Sequence, residues 1–273
     1  MITVVAIICV RNEFLHIRRC IRDFIDQGID VILIDNDSSD DTIVKANDFL
    51  GKGLLRIQRL PWTGAFSLTD QLACKHAILK TVRHDWVIHA DADEWLSAPG
   101  ENERLLEGIA AADRDGATCI NFNEFTFVPE EGREHLHECY STEMLSYYFF
   151  RPEQVRLMRA WKRKTDLDNC SGAGHLLLGR DLRLHVRTFI LRHYIALGLQ
   201  HARAKYVGRR FSEEDVAKGW HGNRMNLCPN DFRLSNHRFI QRLPAWSSKS
   251  FCTDTPVFKH FWQWSTESRE RTT

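Results

Sequence analysis

The sequence predicts an α/β fold in which helices flank a mostly parallel sheet. Short, wholly apolar runs alternate with segments of helical periodicity through the first hundred residues, which is typical of a parallel sheet with crossover helices. The apolar runs lack polar alternation, as expected of strands buried on both faces. A chain of 273 residues with a hydrophobic share of 43% is long enough for one large domain with a substantial core.

The individual elements follow in chain order from these patterns. Strands are expected at 3–10, 31–34, 54–57 and 86–90, where β-branched and other apolar residues cluster. Helices are expected between them at 14–27, from about 40 to 50, and at 68–82. Ser38 and Ser39 are predicted to help cap the second helix, and Gly28 to close the first.

Beyond Pro99 the periodicity is weaker. We expect a helix at 102–112, a strand at 117–127, a charged loop at 129–138, an extended segment or strand pair at 182–194 and a capped helix at 212–218. Residues 1–200 are expected to form the core and residues 201–273 a helical and aromatic extension packed on it. The aromatic side chains after Arg242 fit either packing on the sheet or a platform on which a sugar could stack.

Charge and cysteine content exclude several classes of protein. There are 37 basic and 36 acidic residues, so no strongly basic face for nucleic acid is expected. The eight cysteines include no C-x-x-C pair, which favours reduced thiols over a structural zinc module. The apolar start is short and Arg11 follows it at once, so it is interpreted as a strand, and no run reaches the roughly 18 apolar residues of a membrane span. A cytoplasmic protein is expected, with peripheral recruitment to a membrane left open.

Polar clusters follow three of the predicted strands, at residues 11–13, 35–37 and 91–93. Because ligands bind open parallel sheets at the carboxyl ends of their strands, we expect these clusters to line one crevice. Asp91 and Asp93 are two residues apart, so on an extended strand their carboxylates would share a face and one ion. Carboxylate oxygens suit Mg²⁺ or Mn²⁺. The alternative is a solvated acidic turn.

Two further segments are candidate ligand contacts. Asp35 can accept a hydrogen bond from a ribose hydroxyl or a base N–H, and the alternative is a capping turn. His175 ends a glycine-containing loop at 172–175, where the backbone can approach a ligand closely, although a plain turn fits equally well. Basic residues at 156–164, and Lys205, Arg209 and Arg210, are further candidates for phosphate contact or for a solvated face.

The order and spacing of these motifs resemble those of family 2 glycosyltransferases. The matching segments are V-R-N-E at 10–13, I-D-N-D-S-S-D at 34–40 and D-W-V-I-H-A-D-A-D-E at 85–94. The resemblance covers residues 2–96 and extends to His193-Tyr194, which is similar to a late His-Tyr pair in a bacterial subgroup. It implies a GT-A fold, a nucleotide-diphosphate sugar donor (a UDP-sugar by default) and a metal at the D-x-D motif. It also implies that Arg11, Asn12, Glu13, Asp35 and Asp91 contact the donor and that His193 is a further metal ligand.

The general base is where the sequence departs from the family. An inverting transferase needs a carboxylate near the acceptor hydroxyl, and the acidic pair common in the family has no clear counterpart here. Glu124, on the strand at 117–127, and Asp168, just before the glycine loop, both remain candidates. The acceptor is left open among carbohydrate, lipid and protein.

Other functions compete with transfer. A non-catalytic nucleotide-binding module of the same fold is the main alternative, since the base is unassigned. A dehalogenase-like phosphatase, a sugar nucleotidyltransferase and a Rossmann dinucleotide site are set aside because Glu94-Trp95 and Arg11-Asn12-Glu13 replace their motifs. His135 and His137 with Cys139 offer too few ligands for a closed zinc site.

Overall fold

A computed structural model describes residues 2–234 and 238–266. The described residues contain ten strands: β1 (Val4–Val10), β2 (Asp30–Asp35), β3 (Leu54–Arg59), β4 (Trp86–Ala90), β5 (Glu94–Ser97), β6 (Cys119–Phe127), β7 (Ser146–Phe150), β8 (Leu157–Lys162), β9 (Phe189–His193) and β10 (Gln241–Arg242). They also contain seven α-helices: α1 (Ile17–Asp26), α2 (Thr42–Asn47), α3 (Leu68–Leu79), α4 (Leu105–Arg114), α5 (Tyr140–Glu143), α6 (Leu199–Tyr206) and α7 (Glu213–Ala217). None of these helices is long and apolar enough to cross a membrane.

The strands form one mixed sheet in the order β10-β7-β6-β8-β4-β1-β2-β3. β1 lies parallel to both β2 and β4, and β2 lies parallel to β3. β8 then joins the two halves by antiparallel pairing with β4 and β6. β9 runs parallel to β6 and antiparallel to β5, so the segments around Asp93 and His193 meet.

Both faces of the parallel half are covered. Alternate residues of β1 enter two separate cores: Ala6 and Ile8 pack on the side of α1, whereas Val5 and Ile7 pack on the side of α3. This explains why the strand sequence is apolar throughout rather than alternating. α1 directs Ile17, Ile21 and other buried side chains onto the sheet, as its helical spacing predicts.

Several predicted boundaries change. The second helix ends at Asn47 rather than near Leu50, and neither Ser38 nor Ser39 caps it. Asp40 instead accepts a hydrogen bond from the Thr42 amide at 2.9 Å, while the Ser38 hydroxyl accepts one from the Asn12 amide. The serines were thus wrongly predicted as caps because they serve the loop after β1.

The C-terminal extension packs against the sheet. Tyr206 of α6 and the aromatic residues Phe232, Phe261 and Trp262 form one core with Tyr148 of β7 and other side chains. These rings are buried, whereas Trp246 and Phe258 of the predicted aromatic tail are exposed. Residues 235–237 and 267–273 of the expected extension lie outside the described residues.

Candidate functional site

A cavity of about 570 Å³ opens at the carboxyl ends of β1 and β4. Its wall combines the segments after these strands with parts of β6, the glycine loop and α6. Of the residues predicted from the sequence, it is lined by Arg11, Asn12, Glu13, Asp91, Asp93, Glu124, His175 and His193. Asp35 and Asp168 are not among the lining residues.

The D-x-D segment is a turn and not the extended strand expected from its position. β4 ends at Ala90 and β5 begins at Glu94, and the Glu94 amide donates to the Asp91 carbonyl at 3.1 Å. The turn separates the two carboxylates: the Asp91 side chain is 49% exposed at the cavity and that of Asp93 is 8% exposed inside it. The prediction that both project from one strand face was therefore wrong, although both still border the same cavity.

A buried ion pair lies beneath this turn. The Glu94 carboxylate accepts from the Asp91 amide at 3.1 Å and from the Arg159 guanidinium. Arg159 also donates to the Gly174 carbonyl at 3.2 Å and lies 3.7 Å from Asp91. Burial raises the pKa of Glu94, and Arg159 partly opposes that rise. The pair thereby fixes the D-x-D turn to the glycine loop.

Asp93 meets a lysine from the C-terminal extension. The Lys205 ammonium lies 2.8 Å from the Asp93 carboxylate and 3.4 Å from that of Glu13. Burial acts to raise the pKa of Asp93, but Lys205 and His193 outweigh it and hold the pKa well below its usual range. Burial dominates at Glu13, raising its pKa to about 7 against the opposing charge of Lys205.

His193 lies between two carboxylates. Its Nε2 is 3.7 Å from Asp93 and its Nδ1 is 2.6 Å from Glu124. Burial alone would lower its pKa, but the two carboxylates raise it to about 10. Glu124 is also paired with Arg156, and these partners overcome burial and keep the Glu124 pKa well below normal. Asp93, His193 and Glu124 thus form a continuous polar chain.

The segment after β1 forms a second wall. The Arg11 guanidinium donates to the Asn36 carbonyl at 2.6 Å and lies 4.0 Å from the centre of the Trp62 ring. The Asp35 carboxylate instead accepts from the Ser38 amide at 3.0 Å. Asp35 therefore belongs to the adjoining turn, and the expectation that all three strand ends line one crevice holds for two of them.

The glycine loop closes the opposite side. Ala173 and Gly174 have φ values of 52° and 74°, which turn the loop so that His175 borders the cavity. The Nδ1 atom of His175 is buried without a hydrogen-bond partner. Asp168 lies before this loop at 42% exposure, 3.2 Å from His76.

Two clusters of potential metal ligands lie outside the cavity lining. Two groups within the described ranges bring three ligand atoms within 4.8 Å of one another: His76 with Asp168 and Cys170, and His135 with His137 and Glu143. Cys139 is not part of the second group, and the predicted set of Asp91, Asp93 and His193 does not form such a group.

Some site residues were missed by sequence reasoning. Lys75 and Arg224 line the cavity together with Lys205 and Arg209, whereas Arg210 does not. Lys75 is buried on α3. Helical periodicity around Lys75 was the one available signal, since a lysine at a core-facing position needs a polar neighbour.

A model of glycosyl transferase family 2 matches residues 5–174. No curated protein matches the sequence.

Similar solved structures include S. aureus TarS 1–349 in complex with UDP-GlcNAc, which is 13% identical with a TM-score of 0.39 over 59% of this chain and 45% of that one. TarS 1–349 in complex with UDP is 11% identical, with a TM-score of 0.42 over 79% of this chain and 68% of that one. Glucosyl-3-phosphoglycerate synthase from Mycobacterium tuberculosis, in complex with Mn²⁺, UDP and glucosyl-3-phosphoglycerate, is 18% identical with a TM-score of 0.31 over 53% and 47%. The chain spans about half the length of the first of these structures.

The family model covers more than half of the sequence, and the expected α/β fold of the GT-A kind is confirmed by that match and by the sheet. The chain belongs to glycosyltransferase family 2.

Proposed function

We propose that this chain transfers a sugar from a nucleotide-diphosphate sugar to an acceptor hydroxyl. The observation that carries the proposal is the single cavity in which Asp91 and Asp93 face a wall of basic side chains. The acidic side can bind a metal and the basic side can bind phosphate oxygens, and a nucleoside diphosphate requires both. Membership of the family supports the same reaction class.

The donor is proposed to be a UDP-sugar. TarS and the mycobacterial synthase were crystallised with UDP or UDP-GlcNAc, and we propose the same nucleotide, with uracil as its base, for this chain. We assign Arg11, Asn12 and Glu13 to the nucleoside side of the cavity, with Asp35 in the adjoining turn. The ring of Trp62 under the Arg11 guanidinium extends this wall and offers a flat apolar surface to a base.

A divalent metal, Mn²⁺ or Mg²⁺, is proposed to act with the D-x-D motif. The ligand atoms of Asp91, Asp93 and His193 do not all lie within 4.8 Å of one another, so these side chains would have to draw together around an ion. His193 is oriented for that role, since its Nε2 faces the Asp93 carboxylate and its Nδ1 is held by Glu124. Asp91, at the mouth of the cavity, would complete the set of metal ligands. Such a metal supplies positive charge to a leaving diphosphate. Lys205 contacts the same Asp93 oxygen, so it would have to move when a metal binds.

Glu124 and Asp168 are the proposed candidates for the general base of an inverting transfer. Glu124 borders the cavity and Asp168 does not, which favours Glu124 on position. Its depressed pKa keeps the carboxylate charged, as a base must be, but makes it a weak one. Its hydrogen bond to His193 equally supports a role in orienting that ring.

The test measures the hydrolysis of UDP-sugars and the transfer of their sugar in the presence of Mn²⁺, with and without EDTA. We expect EDTA to abolish turnover and Asp93→Asn to reduce it by about 10²-fold or more, since one lost electrostatic contact to a developing charge costs that much. Glu124→Gln should lower turnover more than Asp168→Asn. Asp70→Asn, an exposed carboxylate on α3, is the matched control. Full activity of Asp93→Asn in EDTA would refute the metal proposal.

A nucleotide-binding module without turnover is the second candidate. It is favoured by one observation, namely that Glu124 is already committed to Arg156 and His193. Calorimetry would then show UDP binding, while no sugar would be transferred to an acceptor or to water. Any UDP release from a UDP-sugar that depends on Glu124 excludes this candidate.

A further inference from the structure

We propose that Arg209 and Arg224 form a subsite for a phosphate-type anion on the C-terminal wall of the cavity. The inference rests on the proposed function, because it assigns a ligand group to the same cavity. Both residues lie outside the segment 5–174 that the family model matches, so the family assignment does not extend to them.

The two guanidinium groups line the cavity without a carboxylate partner. In the ranges 2–234 and 238–266, no carboxylate oxygen lies within 4.0 Å of either group. Arg209 packs over Phe66 at 4.3 Å from the ring centre, and Arg224 lies 5.8 Å from the centre of the Tyr206 ring. The Nε atom of Arg224 is buried and has no hydrogen-bond partner. A buried, unpartnered donor is costly, and an anion in the cavity would satisfy it.

The other arginines of this cavity behave differently. Arg156 is paired with Glu124 and Arg159 with Glu94, and Lys205 contacts Asp93. In all, seven basic side chains and five carboxylates line the cavity. Arg11 and Lys75 have no carboxylate partner either, but they donate to the backbone carbonyls of Asn36 and Ala90. Arg209 and Arg224 are thus the cavity's basic side chains without a hydrogen-bond or ion-pair partner among the described residues, and a bound metal would add to the surplus of positive charge.

The electrostatics of Arg209 agree with this assignment. Burial lowers the pKa of its guanidinium, and the nearby charge of Arg224 lowers it further, against an opposing effect of Tyr206. Two like charges in one low-dielectric cavity repel each other. An anion held between them removes that repulsion, and the planar guanidinium donates two parallel hydrogen bonds to phosphate or carboxylate oxygens.

Two sources can supply this anion: the distal phosphate of the donor, or a phosphate or carboxylate on the acceptor. The charges of Glu13 and Asp93 act to raise the pKa of Arg209, which indicates that the subsite adjoins the D-x-D motif. UMP, UDP and inorganic pyrophosphate are therefore suitable probes, because they differ in the phosphate that would reach Arg209 and Arg224.

The experiment measures the dissociation constants of the three probes by calorimetry for the full chain and for Arg209→Met and Arg224→Gln. We expect each variant to bind pyrophosphate at least tenfold more weakly, as loss of a charge-assisted hydrogen bond implies. Arg210→Gln, an exposed neighbour outside the cavity, should bind it unchanged. If Arg209→Met or Arg224→Gln folds poorly, Arg209→Lys and Arg224→Lys take their place. These variants keep the positive charge and the aliphatic stem, and we expect them to lose less affinity for pyrophosphate.

The probes separate the two sources. A loss of UDP affinity with UMP affinity unchanged identifies the distal phosphate of the donor, whereas a loss confined to pyrophosphate identifies an acceptor anion. Pyrophosphate affinity equal in wild type, Arg209→Met and Arg224→Gln overturns the subsite. Failure of wild type to bind UDP or turn over any UDP-sugar would instead refute the proposed function, while the pyrophosphate arm still tests the subsite.

Discussion

The buried pair of Glu94 and Arg159 gives a prediction about stability that is independent of the substrate. Both side chains are almost inaccessible, at 2% and 6% exposure. Arg159→Met removes the cation but leaves the Glu94 carboxylate buried, where the Asp91 amide is the one remaining donor among the described residues. Breaking a buried pair in this way costs about 3–5 kcal/mol, a large part of the roughly 5–15 kcal/mol that stabilises a typical domain.

The reciprocal change is expected to cost less. In Glu94→Gln the amide oxygen still accepts from the Asp91 amide, and Arg159 keeps the Gly174 carbonyl and the Asp91 carboxylate as partners. We expect a loss of about 1–3 kcal/mol, that of a charged hydrogen bond. The double variant leaves no buried charge unpaired, so its loss should fall short of the sum of the two single losses by at least about 2 kcal/mol.

The assay is urea unfolding of the four proteins at pH 7, followed by tryptophan fluorescence. Arg180→Met is the control, since that arginine is 97% exposed in its contact with Asp166 and such pairs contribute about 0–1 kcal/mol. Additive single losses, or a loss below about 1 kcal/mol for Arg159→Met, would show that water reaches the pair and would refute the reasoning.

Two other stability predictions follow from packing and hydrogen bonding. Gly108→Ala in α4 would place a Cβ 2.7 Å from Ala98 and 2.9 Å from the Phe189 ring. We expect this overpacking to lower the free energy of unfolding by about 1–3 kcal/mol. The control Gly222→Ala, whose Cβ would meet nothing within 4 Å, should change it by less than about 0.5 kcal/mol. Asp215→Ala removes the buried carboxylate that accepts from the Leu68 amide at 2.6 Å at the start of α3; unfolding in urea should show a loss of about 1–3 kcal/mol, and an unchanged midpoint would mean that α7 does not stabilise the start of that helix.

The parallel half of the sheet could be predicted because its strands carry their signal locally. β1 and β4 are short apolar runs buried on both faces, and polar residues follow them directly, so a sequence pattern alone indicates both the strand and its ligand-binding end. The antiparallel half lacks such a signal. β7 and β8 lie among charged loops, and their pairing with β6 depends on contacts between distant segments rather than on local periodicity.

In the candidate site, too, local features could be predicted from the sequence and features that depend on distant segments could not. Asp91 and Asp93 were found from their position after β4, but the turn between them was not, because the turn depends on the pair of Glu94 and Arg159, 65 residues apart. Asp35 was placed in the crevice by its strand end alone. Its carboxylate instead accepts from Ser38 three residues on, a local hydrogen bond that competes with ligand contact.

The C-terminal extension completes the acidic side of the cavity and cannot be regarded as an accessory to it. Asp93 and Glu13 lie within the family-matched segment, yet the ammonium that contacts both comes from Lys205, 112 residues after Asp93. His193, the other cationic neighbour of Asp93, also follows that segment. Without them, the buried Asp93 carboxylate would lose both of the cations beside it, which desolvation makes costly. The chain after residue 174 also carries Arg209, so folding of the acidic side of the cavity and placement of the proposed phosphate subsite depend on one stretch of chain.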